Sequence, residues 1–186
     1  MHFVADLWLP IVLSAAFCFL ASSVIWMALP HHRQEFRAPP NQDELADVLR
    51  RGGVQPGSYY FPHADRSDRD AFAAAMKKAE QGPAGVLYVR PSGPFNMGKT
   101  MLQQVLFFLV VSFFVAYLTH HAVPDGSEYL RVFQVSGTAA FMAHWLGTIP
   151  ESIWFARPWR NQFIQLVDAL IYTGITAGVF GWLYPR

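Results

Sequence analysis

Polar positions divide the chain into four long apolar segments and one polar stretch. Leu7–Pro30, Thr100–Thr119, Val132–Pro150 and Phe163–Pro185 contain one Asp, Glu, Lys or Arg between them, Asp168. A helix needs about 20 apolar residues to cross a bilayer, so the pattern predicts four transmembrane helices, at 7–30, 100–119, 132–150 and 163–185. Residues 31–99 read differently. Asn41 with Glu44 opens an apolar set, Leu45, Val48 and Leu49, that closes at Gly52-Gly53, the signature of a capping box, a helical face and a glycine stop. Ser67 with Asp70 repeats the start signal before Phe72, Met76 and Ala79, and Gly82-Pro83 ends that helix. Tyr59-Tyr60-Phe61 and Val86-Leu87-Tyr88-Val89 are short β-type runs. The expected architecture is an all-α membrane protein, a four-transmembrane-helix bundle with a small α+β insertion between helices 1 and 2. An insertion of this size buries little surface alone, so it is expected to dock on the bundle or on a partner, with Arg33 to Asn41 as tether.

Composition agrees with the pattern: 53% of residues are hydrophobic and 15% charged, against roughly 25% charged in an average soluble domain. Four apolar spans leave no room for a large soluble enzyme domain or a doubly wound sheet. Cys18 is the only cysteine, which excludes an intrachain disulfide; a net charge of +1 argues neither for nucleic acid nor for a strongly acidic partner, and no nucleic-acid partner is expected. No Lys or Arg precedes the first apolar segment, whose 24 uncharged residues exceed a signal h-region. It reads as a retained transmembrane helix, with Trp8 and Trp26 near its ends as interfacial anchors and Pro10 in its first turn.

Charge placement then orients the bundle. Arg33, Arg37, Arg50, Arg51, Arg66, Arg69, Lys77, Lys78, Arg90 and Lys99 lie between the first two spans, and Arg157 and Arg160 between the last two; Arg131 and Arg186 lie on the other side. Under the positive-inside rule the insertion at 31–99 is cytoplasmic, and both termini are extracytoplasmic.

Gly93-Pro94-Phe95-Asn96-Met97-Gly98-Lys99-Thr100 matches the phosphate-loop pattern G-x-x-x-x-G-K-T. A membrane span follows it and no parallel sheet fits in the remaining chain, so the string reads as a turn with an interfacial lysine. No nucleotide binding is expected.

The polar residues inside the spans carry more. On a fourth helix, Asn161, Gln165, Asp168, Tyr172 and Thr176 share one face, while Gly174, Gly178 and Gly181 form a close-packing face opposite. On a third, Gly137, Ala140, His144, Gly147, Thr148 and Glu151 lie together. His144 and Asp168 fall at about the same depth, roughly 9 Å below the boundary, close to Gln103 and Gln104 of the second helix and Ser22 and Ser23 of the first. The expected cluster is Asp168, His144, Gln165, Tyr172, Gln104 and Ser22, with His144 as the partner of Asp168. An intramembrane carboxylate is a functional-site candidate by default, because it costs several kcal/mol unless paired; the competing reading is interhelical glue that sets register.

His31, His32 and Glu35 follow the first span, and His63, His120 and His121 lie outside the spans. Adjacent histidines on a helix point about 100° apart, only His31 and Glu35 have i, i+4 spacing, and no H-E-x-x-H or C-x-x-C motif accompanies them. No metal site, haem or other cofactor is expected.

Val12-Leu13-Ser14-Ala15 through Trp26, Pro94-Phe95-Asn96-Met97-Gly98, and Asp168-Ala169-Leu170-Ile171-Tyr172 through Phe180-Gly181-Trp182-Leu183-Tyr184-Pro185 resemble an uncharacterised family of small bacterial four-helix inner-membrane proteins. The resemblance covers most of the chain. It implies a multi-pass protein of the bacterial inner membrane and supplies no activity, ligand or catalytic residue. With no catalytic constellation visible, the expected role is a structural or accessory subunit, not an enzyme, surrounded by membrane lipid and associating with other membrane subunits or with itself. The alternative is a small proton- or solute-coupled transporter using Asp168 and His144, which the absence of visible repeats or interrupted spans weakens. A third reading, a lipid-binding or enzymatic interface at Arg157, Trp159 and Arg160, gives way to their simpler role as anchors.

Overall fold

The computed structural model describes residues 2–185, leaving out the side chains of His2 and Gln34; Arg186, counted above for orientation, lies outside that range. In chain order the elements are α1 (His2–Ala28), α2 (Gln42–Arg51), β1 (Gly57–Phe61), α3 (Arg69–Gln81), β2 (Gly85–Val89), α4 (Met97–Ala122), α5 (Tyr129–His144), α6 (Ile149–Trp154) and α7 (Trp159–Leu183), with 3-10 turns at Pro30–Gln34 and Leu146–Thr148. They form two units: residues up to Phe36, Asn96–Ile153 and from Arg157 onward make one, and Arg37–Phe95 with Trp154–Ala156 make the other.

Among the described residues, three helices are long and apolar enough to cross a membrane: Phe3–Ala28, Met97–Ala122 and Trp159–Leu183. The fourth expected span, 132–150, is not one helix. α5 ends at His144, the backbone leaves helical geometry at Trp145 (φ −129°), and a separate six-residue α6 begins at Ile149. Gly147 and Pro150 flank the new start, one a weak helix former and the other unable to donate a backbone hydrogen bond. Gln162, almost wholly buried, bridges the break from α7. Its amide donates to the Thr148 carbonyl (2.9 Å) and accepts from the Thr148 hydroxyl (3.0 Å), while its own carbonyl accepts from the Trp145 indole (3.1 Å).

Within the first unit α1 packs on α4 and α7, and α5 packs on α7 and α4. α1 buries Phe3, Leu7, Ile11, Ser14, Cys18, Ser22 and Ile25, steps of three and four that make one helical face. Phe3, Leu7 and Ile11 meet Val111, Val115, Val132, Ala140, Phe180 and Tyr184 in one cluster; Ala15, Cys18 and Ile25 meet Phe108 and Tyr172 in a second. Pro10 is not in the first turn as expected: α1 starts five residues earlier than the apolar pattern, so Pro10 is an interior, buried residue with one rung of the hydrogen-bond ladder missing. At the far end Tyr184 donates to the Val123 carbonyl (2.6 Å). Burial, and then the charge of Asp125, push its phenol pKa up.

The second unit has the expected order of helix, strand, helix, strand. Its strands pair antiparallel, Gly57 opposite Val89 through Phe61 opposite Gly85. Gly53 adopts φ +63°, and the N–H groups of Gly53 and Val54 bond the carbonyls of Arg50 and Leu49 (3.1 and 3.0 Å), a Schellman stop in which glycine takes the left-handed position. Two start signals differ from expectation. Asn41 bonds the Glu44 side chain (3.2 Å) and makes no side-chain bond to the helix backbone. α3 is capped by Asp68, one residue after Ser67, because its carboxylate reaches the N–H groups of Asp70 and Ala71. Ser67 instead donates through its N–H (2.9 Å) and hydroxyl (2.8 Å) to Asp65, which holds that carboxyl below the usual range. No residue from 37 to 95 is buried.

Glycine packing is also redistributed. A Cβ on Gly181 would meet the Tyr129 ring at 2.7 Å and one on Gly137 would meet Ala177 at 3.2 Å, whereas Gly174 faces open space and Gly178 has only Tyr129 at 3.9 Å. The Gly174-x-x-x-Gly178 spacing therefore makes no close helix contact within the chain. Gly181→Ala is expected to lower the melting temperature in detergent, at a cost of about 1–3 kcal/mol for overpacking. Gly174→Ala should be neutral or stabilising by up to about 1 kcal/mol through helix propensity, and equal losses for the two variants would contradict this packing.

Candidate functional site

The site begins where α1 is forced to stop. Leu29 precedes Pro30, and the proline ring excludes helical geometry from the residue before it; Leu29 is extended at φ −89°, ψ 138°. Pro30, its own φ preset by the ring, then opens the 3-10 turn Pro30–Gln34. This turn folds His31 and His32 toward α7. Three residues per 3-10 turn bring i and i+3 onto one side, so His32 faces Glu35.

Asp168 stands nine residues into α7, on the stripe that also carries Asn161, Tyr172 and Thr176, all buried, and the half-buried Gln165. Its two carboxylate oxygens take one histidine each, Oδ1 to His31 Nε2 at 3.1 Å and Oδ2 to His32 Nε2 at 2.8 Å. His32 Nδ1 lies 2.9 Å from Glu35 Oε1. Arg157 extends the chain of charges, with Nη2 3.9 Å from Glu35 Oε2 and Nη1 3.1 Å from both Glu151 Oε2 and Gln165 Oε1. Trp26 stacks on His32 with ring centroids 3.9 Å apart. The side chains of His32, Glu35 and Asp168 are respectively 5%, 1% and 7% exposed, while His31 keeps 29%.

The expected Asp168–His144 pair does not form. His144 lies among aromatic rings, with Phe107, Phe108 and Tyr172 centroids at 6.0, 5.8 and 5.4 Å. Equal depth for His144 and Asp168 requires a continuous helix to Pro150, and the helix breaks after His144. His31 and His32, set aside on the 100° rule for successive helical residues, are the partners; their rings lie 4.2 Å apart because the chain there is a 3-10 turn at a helix end. The i, i+4 pair His31–Glu35 gives way to the i, i+3 pair His32–Glu35 for the same reason.

Asp168, His144, Gln165, Tyr172, Gln104 and Ser22 nevertheless line one cleft of about 230 Å³, together with Trp26, Phe107, Phe108, Thr148 and Ala169. Gln103 is exposed outside it, and Ser23 turns back to the Phe19 carbonyl (2.9 Å). A polar-lined cleft beside a buried, histidine-bridged carboxylate can orient a small polar or cationic group through Asp168, Gln104, Gln165 and His144. The Gly93–Thr100 string forms a turn and helix cap, with Gly93 at φ +127° and Asn96 accepting from the Lys99 N–H at 2.9 Å; its Asn96 side chain occupies an N–H that a phosphate loop would offer.

Asp168→Ala leaves His31 and the buried His32 without the carboxylate they share. Removing one member of a buried charged network costs about 3–5 kcal/mol, so a large drop in melting temperature in detergent is expected, and His144→Phe should change it far less. Comparison with known protein families, with curated proteins and with solved structures gives no match for this chain.

Proposed function

We propose that this chain is a membrane-embedded accessory subunit, whose helical unit anchors it and whose 37–95 unit engages another protein or a second copy. The observation that carries the reading is the absence of any buried residue from 37 to 95, although Val48, Phe72 and Tyr88 there are apolar or aromatic and 53%, 41% and 67% exposed. Large apolar side chains left exposed in this way support a role in interaction. In the other unit Gly174 on α7 opens onto space with no neighbour, as suits close approach of a further helix. The basic residues between α1 and α4 support a cytoplasmic placement of the 37–95 unit. The test is purification in a mild detergent followed by native mass spectrometry. A stoichiometric companion or a defined homo-oligomer is expected, to be disrupted by Val48→Asp or Phe72→Asp; a monodisperse single chain overturns the proposal.

One observation favours a second reading, a small proton- or solute-coupled carrier. The break between α5 and α6 lies at the cleft, which His144 and Thr148 both line, and interrupted membrane helices are where carriers place their sites. On this reading, proteoliposomes take up protons or a small cation, and Asp168→Asn abolishes the flux. Flux indistinguishable from empty vesicles removes it.

A further inference from the structure

His31, His32 and Asp168 each direct a metal-ligating atom at a common point, and the three atoms lie within 4.8 Å of one another. We propose that these residues bind one divalent first-row transition-metal ion, represented by Zn(II), with Glu35 orienting His32. Two imidazoles and a carboxylate are the donor set of open three-protein-ligand sites. Bonds of about 2.0–2.2 Å at a tetrahedral centre separate donor atoms by roughly 3.3 Å. The observed distances, His31 Nε2 to Oδ1 at 3.1 Å and His32 Nε2 to Oδ2 at 2.8 Å, go to different oxygens and are shorter than this, so the side chains part by about 0.2–0.5 Å when an ion enters.

Hydrogen-bond bookkeeping at His32 points the same way. A neutral imidazole has one N–H and one lone pair, yet His32 presents Nδ1 to Glu35 at 2.9 Å and Nε2 to Asp168 at 2.8 Å. Both contacts face carboxylate oxygens, which only accept. If Nδ1 donates to Glu35, the Nε2 lone pair faces Asp168 Oδ2, and a cation ligated by both resolves that contact once the two atoms part by about 0.5 Å. A histidine held by a carboxylate on its far nitrogen is the recurrent support of a metal-bound imidazole, fixing the tautomer and raising ligand basicity. Charge leads to the same place. Asp168 and Glu35 bring two buried carboxylates to the cluster, and Arg157 reaches Glu35 at 3.9 Å; a dication beside two neutral histidines supplies positive charge at Asp168. The rival arrangement supplies the charge as two imidazolium ions. Asp168 also lines the cleft, which gives the remaining coordination position access to water or a small ligand.

The experiment uses the full-length chain, tag removed, purified in mild detergent, stripped with EDTA and dialysed. Zn(II) titration by calorimetry is expected to show one equivalent per chain, and Co(II) to give the visible ligand-field bands of a four-coordinate N/O site. His31→Gln, chosen because His31 is partly exposed and its loss spares the buried pair, should weaken Zn(II) binding about 100-fold and abolish the Co(II) bands. Glu35→Gln should weaken binding about 10–100-fold. The variant His120→Ala/His121→Ala should bind like the parent, which separates this site from the other pair of adjacent histidines. Absence of stoichiometric uptake by the parent protein, or unchanged affinity in a His31→Gln protein with parental elution and helicity, overturns the proposal and leaves the imidazolium network.

Discussion

A carboxylate held among apolar helices has to be neutralised where it stands, and the arrangement around Asp168 follows from that requirement. The residue is fixed on the buried stripe of α7, so its partners have to come to it. They come from the short turn after α1: Pro30 ends that helix, and His31 and His32 fold onto the two oxygens of Asp168. Glu35 and Arg157 continue the network to the loop that precedes α7. The turn after α1 is thus tied to α7 by charge.

The rest of the helical unit is organised by apolar and small residues. Lipid-like surroundings offer little hydrophobic drive between helices, so close contact and hydrogen bonds do the holding. Gly137 against Ala177 and Gly181 against Tyr129 give the approach of α5 to α7. Gln162 supplies the hydrogen bonds where α5 gives out. Tyr184 closes the opposite end on the Val123 carbonyl, next to the last turn of α4.

Much of this was legible in the residues, and the exceptions have definite physical causes. Three spans followed from runs of apolar side chains, and the order of elements in 37–95 from caps, periodicity and glycine stops. Asp168 stood out as the one charged residue in the spans, and its stripe on α7 followed from helical geometry. The break after His144 was hidden because hydropathy measures composition and not continuity; Gly147 and Pro150 were the available signal. The partners of Asp168 escape the helical pattern because angular rules for α-helices do not hold in a turn governed by Pro30. Counting three residues per turn there pairs His32 with Glu35, and asking which bases lie at the same end of the bundle as Asp168 leads to both histidines. Gln162 carried no signal of its own, since its role exists only once the helix it bridges is broken.

The 37–95 unit has a consequence for the amount of protein a cell retains. Its secondary structure is formed, but no residue in it is fully buried, so covering its exposed side chains on binding contributes stabilising free energy that the unit lacks without a partner. Under the accessory-subunit proposal, the surface that recognises a partner is the same surface that, left bare, opens readily to proteases. Copies made in excess of their partner would be removed by that exposure, and the subunit ratio would be kept by turnover, with no dedicated regulator.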